Sequence, residues 1–373
     1  MKLAIITSKY PNSSQPYNHM FVHQRVKYML QLGVDIQILV CSNFNKTYIY
    51  DGVVVQQLTN QKIVSVLGNF NVLYFHLLNI YPFQNKDGWL IYQKTIQKKI
   101  PFCMYVHGNE VQKYSARSYE YNYSIAESLK WIKKDFWVIP KIKNFVQTSQ
   151  SIALGRFIFP SKWMHKEMQR NLKLKIINPV FIPNGIETDF YSYQDVSQYR
   201  YNLLSIRSFS SKVYDIEKTI EVMEYLPKKY TLTLYGQGKY LGEYKKIIKK
   251  KNLSQRIQII ERFLQPKEML EEYRNHGVFL STTRQDSQGL TILEAMSCGL
   301  LGVATLNTAK PEFIIHEKTG ILGKTARRLA LLIEKYTIDE VLFAQLTKKA
   351  SKKMLEMNYN NTIEFEIEIL NEI

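Results

Sequence analysis

Short apolar runs recur along the whole chain, each stopped by a Gly, Pro, Asn or Ser signal and followed by an amphipathic or Lys- and Glu-rich segment. This alternation is the strongest constraint on the fold. The first run, "KLAIIT" (2–7), leads through a Pro-, Asn- and Ser-rich loop (11–18) to the helical pattern "FVHQRVKYMLQLG", closed by Gly33, and then to "DIQILVC". That order is a β-α-β unit. The runs "FCMYVHG" (102–108), "FIFPS" (157–161) and "PVFIPNG" (179–185) continue it, and the second half repeats the theme with "LLSIRS" (203–208), "YTLTLYGQG" (230–238), "IQIIERF" (257–263), "HGVFLSTT" (276–283) and "LLGVAT" (300–305). Parallel strands buried on both faces read in this way, so two doubly wound α/β domains are expected. Function in such sheets gathers at the carboxyl ends of the strands.

At 373 residues, 45% of them hydrophobic, the chain has enough apolar material for two cores. A boundary near "NGIETDFYSY" (184–193) divides it into 1–187 and 188–355, with 356–373 a C-terminal helix expected to return to the first domain. Three scattered cysteines (Cys41, Cys103, Cys298) give neither a disulfide framework nor a C-x-x-C pair, which suits a reducing cytoplasm. The apolar stretch 64–83 is broken by Asn69, Asn71, His76 and Asn79 and fails as a membrane span. Residues 1–185 carry 23 Lys and Arg against 8 Asp and Glu, whereas 186–373 carry 27 against 24, so the basic excess lies in the first half and points to an anionic partner there. The segment "SLKWIKKDFWVIPKIKNF" (128–145) interleaves lysines with Trp131, Phe136 and Trp137 and reads either as a solvated face or as a contact with an anionic membrane surface.

Chemistry concentrates in "STTRQDSQGLTILEAMSCG" (281–299). A helix starting near Gly289 leaves the N–H groups of Gly289, Leu290 and Thr291 free as an anion site. Glu294 lies one turn further on the same face, and Asp286 stands in the loop ahead. A ligand with a phosphate flanked by hydroxyl groups, such as a nucleotide diphosphate sugar, touches all three. The alternative is that Asp286 or Ser287 only caps the helix and Glu294 pairs with a structural Arg or Lys. "GILGKT" (320–325) has too few residues between its glycines for a P-loop and reads as a turn feeding a strand.

The stretch "RQDSQGLTILEAMSCG" resembles the donor-site signature of the family-4 retaining glycosyltransferases of GT-B fold. The segments "FVHQRVKYMLQLG", "VHGNE" (106–110), "FIPNGIETDFY" (181–191) and "SIRSFSSK" (205–212) followed by "YGQG" (235–238) match in the same order, from residue 3 to about 323. The resemblance implies two Rossmann-like domains facing across a cleft, acceptor side first and nucleotide sugar second. It assigns Arg207 and Lys212 to the donor diphosphate, Glu294 to the ribose hydroxyls, Asp286 to the transferred sugar and Phe263, in "ERFLQ", to the turn that holds the base. His107 falls beside the donor sugar, although a histidine at a strand end also reads as a satisfied core residue. Departures are Asp286 in place of the usual glutamate, His19 where the first loop usually has glycine, and Thr308 and Ala309 where a double glycine usually precedes "PE".

These features predict a glycosyltransferase that moves a sugar from a nucleotide diphosphate donor to a glycan or lipid-linked glycan in surface polysaccharide synthesis, without metal or cofactor. The expected location is cytoplasmic, peripheral at the inner membrane face. A rival reading, a non-catalytic basic module for an anionic polymer, accounts for the charge but leaves Asp286 and Glu294 without a purpose, and nucleic-acid-binding signatures are absent from the sequence.

Overall fold

The computed structural model describes all 373 residues, in two compact units: Met1–Gly185 with Tyr359–Ile373, and Ile186–Asn358. The first unit holds β1 (Lys2–Thr7), β2 (Asp35–Cys41), β3 (Lys46–Tyr50), β4 (Val53–Leu58), β5 (Val72–His76), β6 (Phe102–Tyr105), β7 (Gly155–Phe159) and β8 (Val180–Phe181). Their order is β3-β4-β2-β1-β5-β6-β7-β8, parallel except for the β3–β4 hairpin. Alternation along β1 fills two cores. Ala4 and Ile6 face Leu73, Phe75 and Phe145 on one side, while Leu3 and Ile5 face Val22, Val26 and Ile363 on the other. Each such side chain contributes about 1.5–3 kcal/mol on burial.

The helix Tyr359–Asn371 belongs to this first unit and packs on the helix Met20–Gln31, with the Tyr28 and Tyr359 rings stacked 4.8 Å apart. Gly185 sits beneath it: a Cβ there would lie 2.5 Å from the Tyr359 ring. Between the two helices Arg25 donates through Nε to both Glu366 oxygens (2.9 and 2.8 Å), and Tyr74 donates to Glu366 Oε2 at 2.7 Å. Burial works against the Arg25 charge, and Glu366 more than restores it. A buried ion pair holds when both partners are satisfied in this way.

The second unit holds β9 (Asn202–Ile206), β10 (Thr231–Tyr235), β11 (Ile257–Ile260), β12 (Val278–Ser281), β13 (Leu301–Thr305) and β14 (Ile321–Gly323), all parallel, in the order β11-β10-β9-β12-β13-β14. The strand order reverses at β9, which lies between β10 and β12. That is the switch point at which doubly wound sheets open a crevice at their carboxyl ends. In "GILGKT" Gly320 closes a turn, Ile321–Gly323 are β14 itself, and the helix Ala326–Ile338 follows two residues later. No helix is long and apolar enough to cross a membrane.

Candidate nucleotide-sugar site

Arg207 follows β9 at the switch point. Its Nη2 donates to Ser281 Oγ at 2.9 Å and its Nη1 to the Ile206 carbonyl at 3.0 Å, while the buried Nε–H has no acceptor in the protein. A buried donor left open costs about 1–3 kcal/mol, so an anionic oxygen arriving there would be stabilised. The loop after Arg207 is held against "YGQG". Phe209 N donates to the Gln237 carbonyl at 2.8 Å, and a Cβ on Gly236 would lie 2.0 Å from the Arg207 carbonyl. Only glycine permits that approach. At the far end of the loop Lys212 is engaged by Glu217 and by Glu243 (2.7 Å), with its ammonium 4.5 Å from the Tyr240 ring. Burial opposes its charge, and the two carboxylates outweigh burial and raise its pKa. A diphosphate would have to draw Lys212 from these partners.

Across β12 the helix Leu290–Ser297 begins at Gly289, which adopts φ 88°. The N–H groups of Gly289, Leu290 and Thr291 have no acceptor in the protein. Asp286 is not free in the same sense. Its Oδ1 accepts from Gln288 N (3.2 Å), and its main chain is tied to Thr308 Oγ1 (3.3 Å) and Ala309 N (3.4 Å). Asp286 thus orders the loop ahead of the helix but does not cap it, since the N-cap is Gly289 without a side-chain cap bond, and its Oδ2 is left over, 3.3 Å from where a Gly289 Cβ would stand.

Glu294 behaves differently. It forms no ion pair, and its one polar contact is a long 3.5 Å approach from Tyr273 OH, which also faces the Thr291 carbonyl at 3.3 Å. Burial pushes its carboxyl up to about 7, Glu187 adds to this and Arg207 opposes it. The side chain is half-buried, and a carboxylate serving only the fold in such a setting is normally paired.

The sequence reading missed Lys310. It is 1% exposed, and its Nζ donates to the Thr283 carbonyl (2.5 Å), Thr305 Oγ1 (2.6 Å) and Asn307 Oδ1 (2.8 Å). Burial pushes it down to about 7, against the pull of Asp286. Ser281 Oγ and Thr283 Oγ1 lie 3.0 Å apart, so one polar network runs from Arg207 to the loops that carry Asp286 and Thr308. The available signal was a lysine beside the replaced glycines, in "TAKPEF". Phe263, 43% exposed, follows β11 and precedes the helix Pro266–Arg274, whose start is fixed by a Gln265–Glu268 capping box.

His107 lies in the first unit, just past β6. Its Nε2 is 3.0 Å from His76 Nδ1, its ring stacks on Tyr105 (4.5 Å) and meets Phe21 at a tilt (4.6 Å), and its main-chain N–H donates to Glu110 Oε1 at 2.7 Å. Burial, reinforced by Arg25, holds it well below the usual histidine pKa, so the ring is neutral. His76, also missed, fixes one His107 nitrogen and leaves the other without a protein partner.

Comparison with known proteins agrees with this geometry. Residues 198–353 match the sequence model of the family "glycosyl transferases group 1". A probable sucrose-phosphate synthase from Thermosipho melanesiensis is 25% identical over 332 residues, 80% of this chain and 75% of that protein. In fold, the chain is similar to sucrose-phosphate synthase from Thermosynechococcus elongatus (TM-score 0.74, 15% identity, 100% of this chain and 98% of the other). It is also similar to Anabaena HepE, solved with UDP (TM-score 0.76, 14% identity, 100% of both chains). The fold is therefore GT-B, with the two doubly wound units described above. Within that fold, residues 198–353 carry the sequence of the glycosyl transferases group 1 family.

Proposed function

We propose that the protein is a retaining transferase of the family-4 type that takes a sugar from a nucleotide diphosphate donor, without metal, and passes it to a glycan or lipid-linked glycan in surface polysaccharide synthesis. Glu294 carries this reading: a half-buried carboxylate with no ion-pair partner, one turn beyond three open N–H groups. The ribose hydroxyls donate to Glu294, the β-phosphate meets the N–H groups of residues 289–291 and Arg207 Nε, and Lys212 exchanges a carboxylate for the α-phosphate. As the bond from the anomeric carbon to the diphosphate oxygen breaks, negative charge grows where these donors are already fixed, the arrangement that lowers a barrier most. Asp286 Oδ2 faces the transferred sugar, and neutral His107 offers its open nitrogen to a hydroxyl.

HepE was solved with UDP, so uridine donors come first. Thermal unfolding in chelator with UDP, GDP and UDP-glucose tests the reading. At ligand one hundred times its Kd the stabilisation is about 2.7 kcal/mol, a readily measured rise in Tm. No shift with any nucleoside diphosphate, or a shift and turnover that appear only when a divalent metal is restored, counts against it.

A location at the inner membrane face is part of the same proposal. In the first unit the helix Ile125–Ile132 and the π-type turn Lys133–Val138 leave Ile125, Leu129, Ile132 and Phe136 exposed, the last at 73%. Their spacing of four, three and four places them on one face. Lys130 and Lys133 flank them, but Lys134 turns inward, with Nζ 2.6 Å from the Asn109 carbonyl and its pKa brought down by burial to about 8.

A further inference from the structure

In the first unit a recess of about 250 Å³ opens at the carboxyl ends of β1 and β2, lined by the loop after β1, the turn after β2, Gln57 and Lys86. Its polar groups are biased in one direction. Asn12 spends its side-chain oxygen on Ser14 N (3.0 Å), Ser14 Oγ (2.8 Å) and Gln15 N (2.9 Å). Asn43 Oδ1 accepts from Lys86 N (3.2 Å), and Gln15 Oε1 accepts from Asn18. The oxygens of Asn12 and Asn43 meet main-chain N–H groups, which settles those two amide assignments, and their side-chain N–H groups are left without protein acceptors. Ser8 Oγ accepts from Asn79 N at 2.7 Å, which leaves its hydroxyl hydrogen to donate outward.

Lys9 and Lys86 line the same recess; the Lys86 ammonium lies 4.9 Å over the Tyr81 ring and meets no carboxylate there. The nearby carboxylates are committed elsewhere: Asp87 accepts from Tyr81 N (2.9 Å) and Trp89 N (3.1 Å), and Asp51 is bonded to Lys27 (2.7 Å). No Asp or Glu lines the recess. Two amides, a hydroxyl and two cationic side chains thus offer hydrogens, while Gln57 and the Gln15–Asn18 amide pair can present either an oxygen or an N–H. Phe44, 55% exposed, supplies a flat apolar surface for the C–H face of a sugar ring. The volume is below the roughly 300–1,000 Å³ of sites for drug-sized ligands and suits one sugar ring.

The loop that builds one wall continues to His19. The His19 ring is 5.7 Å from Phe21, whose ring meets that of His107 at a tilt, 4.6 Å away. We infer that this recess is the acceptor subsite and that the sugar it holds carries an anionic oxygen group, a carboxylate or a phosphate. The inference rests on the transferase reading above, since it makes the recess the place of the attacking sugar.

The test is a ligand-observed NMR titration of the full chain with glucuronate, glucose 6-phosphate, glucose and inorganic phosphate, repeated on Lys9→Met/Lys86→Met. The anionic sugars are expected to bind at least ten-fold more tightly than glucose, and the double variant to lose that preference while keeping its UDP-induced rise in Tm. The tighter of the two identifies the anion as carboxylate or phosphate. Equal binding of glucose, a preference that survives in the double variant, or inorganic phosphate binding as tightly as glucose 6-phosphate would overturn the subsite. A wild-type protein that shows the preference but no UDP shift would instead remove the donor assignment and leave the sugar subsite standing.

Discussion

Two groups shielded from water in the second unit, the half-buried Glu294 raised to about 7 and the buried Lys310 lowered to about 7, make its stability respond to pH in opposite senses. Between the ordinary 4.5 of glutamate and about 7, folded Glu294 keeps a proton that the unfolded chain has lost, so stability falls as pH rises through that window. Glu294→Gln should therefore match or exceed the wild-type Tm at pH 8 while losing about 2–4 kcal/mol of transition-state stabilisation in kcat/KM. Near-normal turnover, or a Tm well below wild type, would show that Glu294 serves the fold instead. For Lys310 the sign reverses. Between about 7 and 10.5 the unfolded chain holds a proton that the folded one lacks, so stability rises with pH across that range. Lys310→Met should flatten this slope between pH 7 and 9.5 and impair turnover, because the Thr283 carbonyl loses one of its donors. Parallel Tm–pH curves for variant and wild type would contradict the placement of this charge. Glu294 was legible in the sequence because an acid in an apolar run needs a reason. Lys310 was not, because its depth depends on how β12 and β13 pack.

At the scale of elements, most of the strands were legible because each carries its own stop signal, and Asp35–Cys41 follows its apolar run residue for residue. The hairpin β3–β4 was not: "KTYIY" and "VVVQQL" form an edge pair with Ile49 71% exposed, so the apolar pattern that marks a buried strand is diluted. Strand β5 was hidden inside an apolar stretch that also contains the end of a helix. The donor helix was readable from its glycine, whose φ of 88° an L side chain adopts only with strain. Gly289→Ala should cost about 1–2 kcal/mol of stability. Its new methyl would stand 3.3 Å from Asp286 Oδ2 and from Ile292 Cγ2, so the N–H groups should be displaced as well. The measurement is the UDP-induced rise in Tm, expected to shrink by more than the loss of baseline stability explains; an undiminished rise would separate the helix start from the donor.

At the scale of the whole molecule the returning helix changes the charge argument. With the two residues after it, it carries Glu364, Glu366, Glu368 and Glu372 and no Lys or Arg, so the first unit has 23 basic against 12 acidic residues and the second 27 against 20, net +11 and +7. The contrast of +15 and +3 between sequence halves thus narrows, and general basicity no longer singles out the first unit. What still distinguishes it is local: the exposed apolar face of residues 125–136 with lysines beside it. Near an anionic bilayer each Lys contributes about 1 kcal/mol within a Debye length, and the apolar face adds a contribution that salt does not screen. Co-sedimentation with vesicles separates the two. Binding should require anionic lipid and weaken as salt rises. Lys130→Glu, Lys133→Glu and Lys141→Glu together should abolish it at low salt, whereas Leu129→Ser with Phe136→Ser should weaken it at every salt concentration. Lys134 is left out of the set because its ammonium is held by main-chain carbonyls and does not reach the surface. Equal binding to neutral vesicles, or none to either kind, would take the membrane out of the account and leave the face for a soluble partner.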